Sequence, residues 1–169
     1  RWRDESDLPV PRDPSAPGWD QFKEMHREIY RELVGQTARM IHERRPNCLV
    51  AVNVAYNILM PEKPDAGIDY LTCDIADHIV TVGPAASMMD GQGLPFDLMV
   101  TLWYSGRRSI KDAESALYPK PLAQLQQEAA TIVSRGGRFS AWETPTQESA
   151  LRAPHMEVFS DVASWLRDR

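Results

Sequence analysis

Four short apolar runs separated by helical or loop-like stretches dominate the chain. They cover residues 48–53, 68–74, 96–104 and 138–143. Strands buried on both faces read as nearly continuous apolar stretches, and strands that alternate with helices form parallel sheets. The pattern therefore predicts an α/β fold whose sheet collects its functional groups at the carboxyl ends of the strands.

Helical periodicity predicts three helices around these strands. Apolar positions recur through Trp19–Arg44, and a second helix is expected over 121–135, with Pro121 in its first turn and glycines at its end. A third helix is expected over 155–167. Residues 56–67 are predicted to form a loop, and within 77–93 the pattern is consistent with a strand at 78–82 or a short helix at 84–89.

The sequence predicts the side-chain orientation of the second strand and the position of the third strand in the sheet. In the second, the two-residue period places Tyr70, Thr72 and Asp74 on one face and Leu71 and Cys73 on the other. The third is the longest apolar run and is therefore expected at the centre of the sheet.

Composition narrows the class of protein. The chain has 169 residues, of which 43% are hydrophobic and 25% charged, so we expect one globular domain spanning 1–169. A net charge of -5 provides no basic surface for nucleic acid, and no apolar run is long enough to span a membrane. We expect a soluble protein, with a cytoplasmic location slightly favoured, and a neutral or cationic ligand.

Polar and aromatic side chains cluster where the predicted strands end. Asp74 and Glu143 are the candidate catalytic pair, because glycoside hydrolysis uses two carboxyl groups, one ionised and one protonated. The candidate substrate-binding residues offer aromatic rings for stacking on a sugar, or hydrogen-bonding groups for its hydroxyls. They are Asn53, Tyr70, Trp103, Tyr104 and Trp142.

Each candidate also has a structural interpretation. Asp74 could cap a turn and Glu143 could form a surface ion pair with an arginine. The aromatic rings could pack in the core, and the Asn53 amide could bond to backbone. Cys48 and Cys73 lie in neighbouring predicted strands and could approach each other, but we expect them buried and reduced.

The sequence contains no motif for a metal site, a dinucleotide site or a nucleophile elbow. The four histidines are scattered without metal-ligand spacing, and no glycine-rich loop joins a strand to a helix as a dinucleotide site requires. No serine or cysteine lies in a nucleophile elbow. We therefore expect neither a metal nor a cofactor.

Several segments together resemble a known family. They are the run from Lys120 to Gly137, then Trp142-Glu143-Thr144-Pro145-Thr146, then the helix ending Ala163-Ser164-Trp165-Leu166. These resemble the end of the catalytic barrel in alpha-L-fucosidases of glycoside hydrolase family 29 and related glycosyl hydrolases. Residues 93–103 also look like the seventh barrel strand of the uncharacterised relatives. The likeness extends over most of 19–169.

The resemblance implies the second half of a TIM (β/α)8 barrel, from helix four to helix eight. The family's nucleophile, an aspartate ending strand four, would then precede Arg1, and Asp4 is not assigned that role because it lies in a charged loop. The chain opens inside such a loop without methionine, so we expect a fragment. The chain departs from the family in having Ser140-Ala141-Trp142-Glu143 where the fucosidases have an asparagine-rich glycine motif.

The resemblance and the residues together predict a fucosidase-like glycoside hydrolase acting on a carbohydrate substrate. Two alternatives stay open. One is a carbohydrate-binding module without turnover. The other is a scaffold whose strand edges need the rest of the barrel or a second copy to cover them.

Overall fold

A computed structural model describes residues 2, 6–53, 56–58, 60–75, 79–105 and 117–168. The chain divides into two compact units, one formed by Arg1–Val50 with Pro64–Ile68 and the other by Ala51–Lys63 with Asp69–Arg169. The single domain expected from the chain length stays a prediction. None of the described helices is long and apolar enough to cross a membrane.

Helix α1, Trp19–Arg44, dominates the first unit and has the predicted bounds. Its buried residues are Val34, Gly35 and Ala38, whereas Leu33 and Met40 of the predicted apolar stripe are exposed. Small side chains are buried because the 64–68 segment lies close to the helix. A Cβ atom on Gly35 would be 3.8 Å from the Ala66 carbonyl oxygen.

The second unit contains a parallel four-stranded sheet in the order β1-β2-β3-β6. The strands are β1 (Ala51–Val52), β2 (Tyr70–Ile75), β3 (Phe96–Thr101), β4 (Trp103–Ser105), β5 (Leu117–Pro119) and β6 (Arg138–Trp142). The helices are α2 (Ile79–Asp90), α3 (Leu122–Val133) and α4 (Ala153–Arg167). The predicted α/β class, the parallel sheet and the central position of β3 are confirmed.

The sheet has an apolar face and a polar face. Leu71, Cys73, Leu98 and Val100 alternate into the buried face, which helices α2 and α3 cover. Gly137, directly before β6, has no room for a side chain, because a Cβ there would lie 2.3 Å from the Phe96 ring of β3 and 3.0 Å from Ile132 of α3. Tyr70, Thr72 and Asp74 lie on the opposite face, as predicted, and are less buried.

Three predicted elements need correction. The first strand pairs only over Ala51–Val52. The second correction is that 79–82 is helical and not a strand; the short helix allowed at 84–89 is confirmed as part of α2, whose buried residues Val82, Ala85, Ala86 and Met89 follow the helical period. The third predicted strand stops at Thr101, where the chain turns into an antiparallel β4–β5 pair that the sequence did not indicate.

Candidate functional site

The carboxyl end of β1 meets that of β2 through Asn53 and Asp74. The Asn53 side-chain amide donates a 3.0 Å hydrogen bond to Asp74 Oδ2, so its partner is a side chain and not the backbone. Both residues are exposed. The pair offers one carboxylate and one amide to a ligand that approaches this edge of the sheet.

A buried amide holds the Asn53 loop in place. Asn57, which is fully buried, donates from Nδ2 to the Asn53 carbonyl and, at 3.2 Å, to the Thr72 carbonyl of β2. These bonds tie the chain after β1 to the neighbouring strand. Sequence reasoning missed Asn57 because it lies in the segment that the prolines marked as an irregular loop.

Glu143 follows β6 and is held by an arginine and a histidine. Arg152 Nη1 donates to Oε1 at 3.0 Å, and His155 Nδ1 lies 2.6 Å from Oε2. Arg152 also donates to the Thr144 carbonyl. The Glu143 side chain is only 7% exposed, so the arginine ion pair expected on the surface is buried instead. Because a carboxylate only accepts, this contact puts the histidine proton on Nδ1.

The start of α4 explains why these partners converge. Arg152 immediately precedes the helix and His155 lies in its first turn, three residues later, so both side chains face the same way. In the sequence, His155 is one of four scattered histidines and carries no metal-ligand spacing. Its spacing of seven from buried Val162 places both residues on one face of α4, and that spacing is the signal that could have identified it.

Two tryptophans lie beside the sheet's carboxyl edge. The Trp103 and Trp142 rings are 6.0 Å apart and inclined at 59°. Trp103 is 9% exposed and Trp142 is 45% exposed, so one indole packs inside while the other presents a ring to solvent. The core-packing interpretation therefore fits Trp103 better, and the stacking interpretation fits Trp142 better.

The two tyrosines named as candidates lie elsewhere in the unit. Tyr104 is in β4, and Lys120 Nζ lies 5.8 Å from the centre of its ring. Tyr70 opens β2 opposite Ala51, at the amino end of the strand and away from the carboxyl edge. Only Tyr104 therefore lies beyond the carboxyl end of β3.

The two candidate carboxylates hold different partners and lie on different strands. Asp74 is opposite Met99, which is opposite Ser140, and Glu143 comes three residues after Ser140. Two strand spacings alone separate the β2 and β6 backbones by ~9.6 Å. The structure thus brings both groups to one edge of the sheet without pairing them directly.

Among the described residues, no group of three or more histidine, cysteine, aspartate or glutamate side chains could hold a metal ion. Comparison with protein-family models, curated proteins and solved structures finds no match.

Proposed function

We propose that this chain forms part of a glycoside hydrolase-like (β/α)8 barrel that cleaves a glycosidic bond, with a fucosidase-like substrate. The observation that carries the proposal is the carboxyl edge of the parallel sheet. There Asp74 with Asn53, Glu143 with Arg152 and His155, and exposed Trp142 all lie at or next to strand ends. In barrels of this class, that edge is where catalytic groups collect.

The architecture supports a barrel half. Strands β2, β3 and β6 are parallel and joined by helices α2 and α3, which is the βαβ connection that barrels repeat. The helices cover the apolar face, as they do on the outside of a barrel. Among the described residues, β6 pairs with β3 alone, and a closed barrel would pair its other edge as well.

The environments of the two carboxylates favour different roles. Asp74 is exposed and held by a neutral amide, so it can meet the glycosidic oxygen and act as the acid/base. Glu143 is buried, and its two oxygens already bind Arg152 and His155. We assign it to fixing the local geometry and to bonding a sugar hydroxyl. The nucleophile that the resemblance implies would come from another part of the barrel.

The test is hydrolysis of a panel of 4-nitrophenyl glycosides by wild type, Asp74→Asn and Glu143→Gln. We expect Asp74→Asn to lower kcat/KM ~100-fold or more, the usual contribution of a general acid/base. Asp161→Asn and Glu157→Gln are the matched controls, because both residues are exposed on α4, and they should leave the rate within about twofold of wild type. Unchanged hydrolysis by both site variants would contradict the catalytic assignment.

A second function, carbohydrate binding without turnover, is favoured by the exposed Trp142 ring packed against Trp103. In that case affinity for a glycoside would survive the Asp74→Asn, Glu143→Gln double change and fall in Trp142→Ala. Wild-type protein that binds a glycoside but never releases nitrophenol would decide for this alternative.

A further inference from the structure

Two buried polar atoms near the sheet's carboxyl edge have no hydrogen-bond partner in the part of the chain that the structure describes. They are Trp103 Nε1 and Ser140 Oγ. Buried polar groups in folded proteins are nearly always paired, so each unpaired one needs an explanation. The other polar groups at this edge, on Asn53, Asp74 and Glu143, have partners within the protein.

The strand register places both residues on one face of the sheet. Ser140 is opposite Met99, and Trp142, two residues further along β6, is opposite Thr101. Residues two apart on a strand lie on the same face, ~6.7 Å apart along it. Trp103 comes two residues after Thr101, and its ring contacts that of Trp142. Ser140 and Trp142 therefore share one face of β6, and the Trp103 ring lies beside Trp142 at the end of that face.

The chemistry of the two atoms restricts the ligand. An indole N–H can only donate, whereas a serine hydroxyl can donate and accept. A ligand that satisfies both must supply at least one acceptor. Asp74 lies on the same face, opposite Met99 and hence in line with Ser140, and its negative charge disfavours a phosphate or carboxylate ligand. A neutral hydroxyl group meets these requirements.

We infer that Trp103 Nε1 and Ser140 Oγ form a hydroxyl-binding subsite, which accepts one hydroxyl of a sugar whose ring stacks on Trp142. The inference rests on the proposed function and adds Ser140 to it as a specificity-determining residue. It also gives Trp103 a role different from stacking, since its ring is buried and its N–H does the binding.

The test combines two variants with a set of sugar analogues. Affinities of 4-nitrophenyl α-L-fucoside and its monodeoxy analogues are measured by calorimetry for wild type, Ser140→Ala and Trp103→Phe. We expect each variant to bind the parent glycoside about tenfold more weakly, the effect of one lost hydrogen bond. One monodeoxy analogue should bind wild type and Ser140→Ala equally, because the hydroxyl that the serine contacts is already missing.

Thermal unfolding without ligand separates binding from a structural role. Ser140→Ala removes an unpaired hydroxyl, so its Tm should not fall, whereas a serine with a structural bond would lower it. Ser160→Ala on exposed α4 and Trp19→Phe in the first unit are the matched controls, and both should bind like wild type.

Two results would overturn the inference, and they are distinguishable. The first result is that the glycoside binds, but both variants bind it as tightly as wild type does, or the affinity of every monodeoxy analogue falls by the same factor in every variant. In that case the subsite is wrong and the proposed function survives. If 4-nitrophenyl α-L-fucoside and the other glycosides of the panel do not bind wild type at all, both proposals fail.

Discussion

Lys120 and Glu128 form an ion pair that is enclosed on all sides. Lys120 Nζ lies 3.1 Å from each Glu128 oxygen, Gln124 donates to Oε1 at 2.8 Å, and both charged side chains are at most 1% exposed. Lys120 also donates its backbone N–H to the Leu102 carbonyl beyond β3. The pair thus connects the end of the central strand to α3, and neither charge can reach water.

Removing one member of this pair should be costly. We expect Lys120→Met to lower the free energy of unfolding by ~3–5 kcal/mol in urea titrations, because Glu128 would keep a buried, unpaired charge. Lys23→Met is the control: Lys23 pairs with Asp20 at 2.9 Å, but both side chains are exposed, so stability should hardly change. Equal stability of the two variants would contradict the prediction.

The two cysteines are both free but differ in environment. Cys48 is exposed, so the expected burial is wrong for it, and Cys73 on β2 is fully buried, as expected. Burial is the main cause that raises the pKa of the Cys73 thiol to about 11, and the Asp74 and Asp97 carboxylates add to it, against a hydrogen bond with the Ile58 backbone. The reactive thiolate is therefore scarce at Cys73.

This difference predicts selective chemistry and a dependence on pH. Iodoacetamide at pH 8 should modify Cys48 and leave Cys73 unmodified in peptide mass spectra, because the thiolate is the nucleophile. The raised pKa means that the folded state holds a proton that the unfolded state loses. Stability should therefore fall as pH rises from about 9 towards 11, and Cys73→Ala should remove that part of the slope. Rapid Cys73 alkylation in folded protein would refute this.

The positions of some candidate residues could be predicted from the sequence, because they follow from where the strands end. Asn53, Asp74 and Glu143 reach the expected edge because the strands before them are apolar and parallel. Arg152 and His155 could not be predicted as partners of Glu143, since their contact depends on where α4 returns to the sheet. The unpaired state of Ser140 depends on the same tertiary packing.

Gly137 lies where β3 and α3 leave no room for a side chain. A Cβ atom there would lie 2.3 Å from the buried Phe96 ring and 3.0 Å from Ile132. We expect Gly137→Ala to lower the free energy of unfolding by ~1–3 kcal/mol, the usual cost of overpacking, measured by urea denaturation.

Gly83, which has more distant neighbours outside its own helix, provides the control for the Gly137→Ala substitution. Gly83 lies inside α2, where a Cβ would make ordinary contacts of 3.7 Å or more. Gly83→Ala should therefore lower the free energy of unfolding by less than Gly137→Ala does, because the gain in helix propensity offsets the contact of the new Cβ with Cδ of Pro84, the next residue. Phe96→Leu combined with Gly137→Ala should recover part of the lost free energy of unfolding, because the smaller side chain makes room for the new Cβ. Equal effects of Gly83→Ala and Gly137→Ala on stability would rule out overpacking at Gly137 as the cause.

The predicted helices and strands agree best with the observed ones where the periodic pattern in the sequence is long. The bounds of α1 match, and α3, α4 and β6 differ from expectation by at most two residues. Helix α2 was ambiguous because Gly83 and Pro84 interrupt an apolar run that fits either period. The β4–β5 pair was missed because its three-residue strands carry no periodic signal. The central strand ends where the backbone of Leu102 bonds to Trp142 and Lys120, and these tertiary hydrogen bonds cannot be predicted from the sequence pattern.

The proposed barrel predicts the mass of the active species. Among the described residues, the four-stranded parallel sheet pairs each outer strand on one side only, and completing a barrel requires further strands. We expect glycosidase activity to sediment at a mass well above the 19.2 kDa of this chain, either as a longer polypeptide or as an assembly of copies. Turnover by a 19.2 kDa monomer in analytical ultracentrifugation would contradict the half-barrel proposal.

The contact between Trp103 and Trp142 also gives the molecule an optical property. Two indoles with ring centres 6.0 Å apart and planes inclined at 59° are close enough for their excited states to couple, so we expect a paired positive and negative band in the circular dichroism spectrum. Replacing either ring with phenylalanine should abolish that couplet. Because Trp142 is half exposed, a sugar that stacks on it would shift the couplet, and the protein would report its own ligand without a label.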